Sequence, residues 1–129
     1  MKPFLTLHDP QTAREFYAQG LWKDDTFYSL MSDHADRRPD DIALLDGLTS
    51  LSWCALKAKV DAMADSLLSQ GVGAGDRVAI WMSNRIEAVI AFLACSREGI
   101  ACNPSLHRTY TCGEIVELLS ELSASALVT

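Results

Sequence analysis

The sequence has no basic surplus. Eleven Lys and Arg residues stand against seventeen Asp and Glu, a formal net charge of −6. Nothing is therefore available to replace the counterions of a nucleic-acid backbone, and binding of that kind is excluded. No apolar run approaches the roughly 18 residues that a membrane span requires. Residues 1–10 also lack the basic stretch followed by an apolar stretch that marks a secretory signal. The four cysteines, Cys54, Cys95, Cys102 and Cys112, form no CxxC pair and no dense framework. That spacing predicts reduced thiols in a cytoplasmic protein. Internal repeats and low-complexity segments are missing as well.

What remains is an ordinary globular composition. The 129 residues are 49% hydrophobic and 22% charged, enough chain to bury roughly two thirds of its unfolded surface around a real core. The helix signals are clear. Thr12 and Glu15 have the spacing of a capping box for a short helix that Gly20 closes. A second helix is expected over 27–35 with Phe27, Leu30, Met31 and His34 on one stripe, stopping before the charged turn 36–41, where Pro39 disfavours helix at Arg38. Residues 42–46 and 51–53 read as a hairpin. A long helix then places Leu56, Val60, Met63, Ala64, Leu67 and Leu68 on one face, and Gly71 ends it.

From Arg77 onward strands and helices alternate. Residues 77–81 read as a strand and 85–98 as an apolar helix, with Asn84 and Glu87 available to cap it and Gly99 as its exit. A strand at 100–103 follows, then a helix opened by the Thr111/Glu114 capping box with Ile115, Leu118, Leu119 and Leu122 on one face, and a strand at 126–129. This order predicts an α/β fold: a mainly parallel sheet flanked by helices, entered through an antiparallel hairpin near the start. Residues 1–25 read as a lead-in and 26–129 as the α/β part. A buried-type strand at 126–129 leaves one face to be covered by something further, so the chain reads as the front part of something longer, with an open edge prone to self-association.

Few residues suggest chemistry. The run Gly71-Val72-Gly73-Ala74-Gly75-Asp76 has the glycines of a phosphate loop, yet it follows a helix and precedes a strand, the reverse of the order that aims helix-terminal N–H groups at an anion. It reads as a helix stop and a tight turn. Cys95, Cys102, His107 and Cys112 are too widely spaced for a zinc site and read as packed thiols. His34 falls on an apolar stripe, His8 in the N-terminal segment. Trp22, Trp53 and Trp81 are spread over different elements and read as core. No catalytic, cofactor-binding or metal residue is identified. The loop 104–110 follows a parallel-type strand, and ligands of open α/β sheets bind at the carboxyl ends of strands. His107 and Arg108 are the candidate ligand-edge residues there, facing an anionic ligand.

Taken in order, several segments resemble the opening of the AMP-forming acyl/aryl-CoA ligases and adenylation domains. They are Ala43-Leu44-Leu45-Asp46-Gly47, Leu51-Ser52-Trp53-Cys54-Ala55-Leu56, residues 71–80, Asn84-Arg85-Ile86-Glu87, residues 91–94, Arg97-Glu98-Gly99-Ile100 and Asn103-Pro104. Phe16-Tyr17 and Gly20-Leu21-Trp22 are similar to the lead-in of members acting on aryl or cyclic acids. The chain departs from the pattern at Ala55, where a Glu usually completes a capping box with Ser52, at Glu98, where a small residue is usual, and over 105–110.

The resemblance implies an N-terminal subdomain of a larger adenylate-forming enzyme. Such a parent converts a carboxylic acid (aryl, cyclic or fatty) and ATP into an acyl-adenylate, then passes the acyl group to CoA, with Mg²⁺ as its metal. In that family the phosphate loop, the Tyr-Gly-x-Thr-Glu segment, the ribose-binding Asp and the lysine of a mobile C-terminal domain lie further along, and none of these motifs occurs in residues 1–129. The fragment is therefore expected to be inactive and to bind no cofactor by itself, its partner being the rest of the parent chain. The alternative is a stand-alone, non-catalytic α/β module that binds a ligand or associates with a partner.

Overall fold

The computed structural model describes residues 9–47, 49–104 and 106–129, so His8, Leu48 and Ser105 lie outside it. In chain order come α1 (Pro10–Ala18), α2 (Phe27–Arg37), β1 (Ile42–Asp46), β2 (Thr49–Ser52), α3 (Trp53–Ser69), β3 (Arg77–Ile80), α4 (Ile86–Glu98), β4 (Ala101–Asn103), α5 (Cys112–Glu121) and β5 (Ala126–Val128). The hairpin β1–β2 pairs antiparallel and forms a sheet of its own, while β3, β4 and β5 form a parallel sheet in the order β4-β3-β5. The expected α/β order is present, with the hairpin beside the parallel sheet rather than joined to it.

The two crossovers from β3 to β4 and from β4 to β5 travel in opposite directions across the sheet. Because both are bound to the same handedness, α4 and α5 fall on opposite faces. Burial follows that division. Val78, on one face of β3, joins Leu56, Val60, Ala64 and Leu67 of α3, Ile90, Leu93, Ala94 and Cys95 of α4, and Met31 of α2 in the main core. Ala79, on the other face, joins Leu106 and Ile115 in a smaller cluster under α5. Of the expected α5 face, Ile115 is buried, whereas Leu118, Leu119 and Leu122 are half-buried.

Helix α3 shows how its start is held. Ser52 Oγ accepts from the Ala55 amide at 3.2 Å. The amides of Trp53 and Cys54 donate to the carbonyls of Asp41 and Pro39 at 3.1 and 3.0 Å. The turn preceding β1 thus satisfies donors that a capping side chain usually serves, which softens the effect of Ala55 in place of Glu. Ser52→Ala should still cost about 1 kcal/mol, read as a lower urea midpoint at unchanged slope.

Four local expectations are corrected. First, α1 is capped by Asp9, not by Thr12 and Glu15. The Asp9 carboxylate accepts from the amides of Gln11 and Thr12 and from the Thr12 hydroxyl at 2.6 Å, because Pro10 at the first helical position moves the start upstream. Gly20, at φ 70°, does close the turn. Second, α2 buries Met31 and Ala35, while Phe27 and Leu30 are 63% and 48% exposed. The helix is rotated so that the Tyr28 hydroxyl donates to Asp61 Oδ1 at 2.7 Å, and Phe27 instead rests against Phe92 with ring centroids 5.2 Å apart.

Third, neither Asn84 nor Glu87 caps α4. Its first turn has no side-chain cap, and Glu87 is drawn off by Arg85, whose Nε lies 2.7 Å from the carboxylate. Fourth, only two of the three tryptophans join the core: Trp53 and Trp81 are half-buried and pack against its two clusters, and Trp22 does not. Trp22 is 42% exposed beside Phe16 and Tyr17. Trp53 packs at 4.7 Å against the half-buried His34 ring, and Trp81 is half-buried at the carboxyl end of the central strand β3, where its N–H needs a partner.

Candidate functional site

At the carboxyl end of the parallel sheet the chain leaves β3 toward α4 on one face and leaves β4 toward α5 on the other. Divergence of neighbouring loops is what opens a crevice in sheets of this kind. Trp81, the first residue beyond β3, spans it. Its amide donates to Val128 O at 2.8 Å and its indole Nε1 donates to His107 O at 3.0 Å. Leu106 is buried against the α5 cluster and pins the loop after β4 to the sheet. The Tyr110 amide donates back to His107 O at 3.2 Å, and the two rings meet edge to face at 5.6 Å.

The two residues picked out by their position in this loop have different surroundings. Both are exposed. Arg108 lines a shallow recess of about 270 Å³ with Trp81, Met82, Ser83 and Thr129, residues that follow or end β3 and β5. The His107 ring is turned toward Tyr110, and it is the His107 carbonyl that serves the site by holding Trp81. Of the two, only Arg108 lines the recess at the strand ends, while His107 is tied into its own loop.

A second recess, of about 480 Å³, went unnoticed in the sequence. It lies between the hairpin and the start of α4 and is lined by Asp46, Thr49, Lys59, Ser83, Asn84 and Arg85, among others. The signal was the polar run Ser83-Asn84-Arg85 ahead of an apolar helix. Reading it as a cap obscured it as a lining. Arg85 and Glu87 hydrogen-bond each other across its rim, which raises the guanidinium and lowers the carboxyl from their ordinary values.

The glycine-rich turn is at the other end of the sheet. Most of its donors are spent within the protein: the Gly73 amide on Asp76 Oδ2 at 3.1 Å, the Gly75 amide on Gly99 O and the Asp76 amide on Gly73 O. Asp76 also accepts from Ser125 Oγ at 2.9 Å, and its carbonyl takes the Ala101 amide at 2.9 Å. This turn braces the amino ends of β4 and β5 against β3, and nothing in it fits a nucleotide phosphate. The residues Cys95, Cys102, His107 and Cys112 do not converge either: Cys95 is buried, Cys112 exposed. Among the described residues no three His, Cys, Asp or Glu side chains are grouped to hold a metal ion. No helix among them is long and apolar enough to cross a membrane.

Comparison with known proteins gives a consistent result. The family model of the AMP-binding enzymes matches residues 31–129. A medium/long-chain-fatty-acid–CoA/3-oxocholest-4-en-26-oate–CoA ligase of Mycobacterium marinum is 37% identical over 99 residues, covering 76% of this chain and 18% of that protein. The apo structure of Mycobacterium smegmatis MbtA superposes with a TM-score of 0.84 at 26% identity, over 95% of this chain and 23% of that one. The N-terminal subdomain of Klebsiella oxytoca NpsA shares the fold at a TM-score of 0.71 and 24% identity, over 81% of this chain and 27% of that one. The chain thus spans about a fifth to a quarter of the length of these proteins.

Proposed function

The chain belongs to the family of AMP-binding enzymes, and from that membership we propose that it serves as the N-terminal subdomain of a carboxylic acid–CoA ligase. In this reading the parent enzyme joins an aryl, cyclic or fatty acid to AMP, releasing pyrophosphate, and a thiol (CoA) then displaces AMP from the acyl-adenylate. ATP, Mg²⁺ and CoA are the parent's requirements. Residues 1–129 contribute a scaffold and one edge of the ligand crevice, with Arg108 as the charged group on that edge and His107 positioning it. They carry no residue that holds the reacting phosphate, and so the fragment is inactive alone.

One observation carries the reading. The family match covers residues 31–129, nearly all of the α/β part, yet the motifs that cradle phosphate and hold the ribose are missing from the sequence, and the glycine-rich turn, the only run of that composition, has most of its amides engaged at the far end of the sheet. Electrostatic stabilisation of charge developing in phosphoryl and acyl transfer needs such donors in place. The open edges of β4 and β5 belong to the same proposal: in the isolated chain they self-associate, and in the parent they are covered.

Titration calorimetry of ATP into the 129-residue chain, with Mg²⁺ and a panel of aryl and alkyl acids present, tests this reading. The expected result is no saturable heat, with light scattering on the same samples showing species larger than a monomer as concentration rises. Saturable nucleotide binding would overturn the assignment of an inactive scaffold.

A further inference from the structure

The four cysteines are not equivalent. Cys54 and Cys112 are exposed, while Cys95 is fully buried in the last turn of α4 and Cys102 is half-buried at the middle of β4. Between them the chain reverses through Gly99, which at φ 66° adopts the left-handed conformation that a side chain opposes. The Ile100 amide donates to Cys95 O at 3.0 Å, closing the helix end. Cys102 is in register with Val78 and, through β3, with Ala126. This puts its side chain on the sheet face beneath α4, packed against the core that contains Cys95. There both thiols belong to one core, Cys95 within it and Cys102 packed against it.

We propose that Cys95 and Cys102 are an oxidisable pair that closes into a disulfide when the protein meets a hydroperoxide, tying the end of α4 to β4. Cys102 is the attacking sulfur. It is on an outer strand of the sheet and half-buried, so a small oxidant reaches it before the enclosed Cys95. The neighbouring Cys95 thiol holds the Cys102 thiol below its usual range, and Cys102, with burial, pushes Cys95 up. The thiolate is the reactive form, so these shifts favour Cys102 as nucleophile.

The Cys102 thiolate attacks one peroxide oxygen, the O–O bond breaks, and the departing hydroxide takes a proton to become water. Cys102 is left as a sulfenic acid. The Cys95 sulfur then attacks that sulfur, the S–O bond breaks, and the hydroxyl leaves as water with the thiol proton. Together two thiols give up two electrons and two protons, and hydrogen peroxide becomes two waters. Since β4 runs straight into Asn103-Pro104 and the loop bearing Arg108, the bond restrains the strand from which that loop departs. This inference does not depend on the functional reading above.

Peptide mapping tests it on the unmodified chain. The protein is exposed to a small excess of hydrogen peroxide, denatured, alkylated and digested with trypsin without reductant. Arg85, Arg97 and Arg108 are cleavage points, so the two cysteines fall on separate peptides, 86–97 and 98–108. These should appear joined, lighter by two hydrogens than their sum, and should separate on reduction. The preference should vanish when oxidation is done in concentrated guanidinium. Two results would overturn the proposal. One is Cys102 oxidised to sulfenic or sulfinic acid with Cys95 still alkylated as a thiol. The other is disulfides formed through Cys54 or Cys112 while both 86–97 and 98–108 are recovered separately.

Discussion

Leu56→Ala should destabilise the domain by about 2 to 5 kcal/mol, a large share of the roughly 5 to 15 kcal/mol a domain usually has. Leu56 is 2% exposed and belongs to the cluster in which α2, α3 and α4 meet the sheet. Truncation removes its buried methyl groups and leaves a cavity, because neighbours at near-crystalline density relax only in part. Leu68 on the same helix is 46% exposed, and Leu68→Ala should change stability by no more than about 0.5 kcal/mol. Urea unfolding followed by circular dichroism reads both. Equal losses in the two variants would mean that the wrong face of α3 has been assigned to the core.

Asp61→Ala should cost about 2 kcal/mol, the second largest effect. Asp61 is the hub between three helices. It accepts the Tyr28 hydroxyl of α2 at 2.7 Å and pairs with Lys57 Nζ at 2.7 Å one turn earlier on α3. Arg97 Nε of α4 approaches it at 3.5 Å, while a second Arg97 nitrogen binds Asp65 at 2.8 Å. Hydrogen bonds to charged groups contribute about 1.5 to 3 kcal/mol each when enclosed. Here the side chain is 29% exposed, and solvent screening reduces the total to the figure given. Removing the carboxylate also leaves Lys57 and Arg97 as like charges, each within 6 Å of the Tyr28 ring centre. Asp61→Asn, which keeps an acceptor for Tyr28 without the charge, should fall between wild type and alanine.

The same carboxylate has a pH signature. Burial alone would raise its pKa, but the bonds from Lys57 and Tyr28 and the charge of Arg97 outweigh burial and hold it below the ordinary carboxylate value. A carboxyl depressed in the folded state contributes stability above its unfolded pKa of about 3.9, and that contribution is lost as pH falls through the folded value. Acid titration of wild type and Asp61→Asn should therefore converge at low pH and separate by pH 5 or so. Curves that stay parallel throughout would remove Asp61 from this role.

Much of the architecture was legible because it is written in short-range physics. The period-3.6 stripe of α3, the capping box of Thr111 with Glu114 and the exit at Gly99 are local signals and occur as expected, except that Leu68, placed on the buried face of α3, is 46% exposed. The alternation after Arg77 is likewise local in each piece and implies a parallel sheet by connection rules alone. The glycine-rich run was read correctly as a turn from nothing more than its place between a helix and a strand.

Other features depend on what approaches from a distance in sequence. The rotation of α2 follows from Asp61, a residue 33 positions beyond Tyr28, and no periodicity within 27–37 encodes it. The order β4-β3-β5, which opens the crevice bridged by Trp81 and His107, is a choice among strand placements that the sequence of elements leaves open. Separating Arg108, at the recess, from His107, turned to Tyr110, required the loop's actual path. So did bringing Cys95 and Cys102 together within the core. By itself the sequence determined the elements, several of their ends and the family, because propensity, capping and hydrophobic period act within a few residues. The tertiary structure decided which faces meet, which donors are consumed and which side chains stand together, because those depend on partners that only packing supplies.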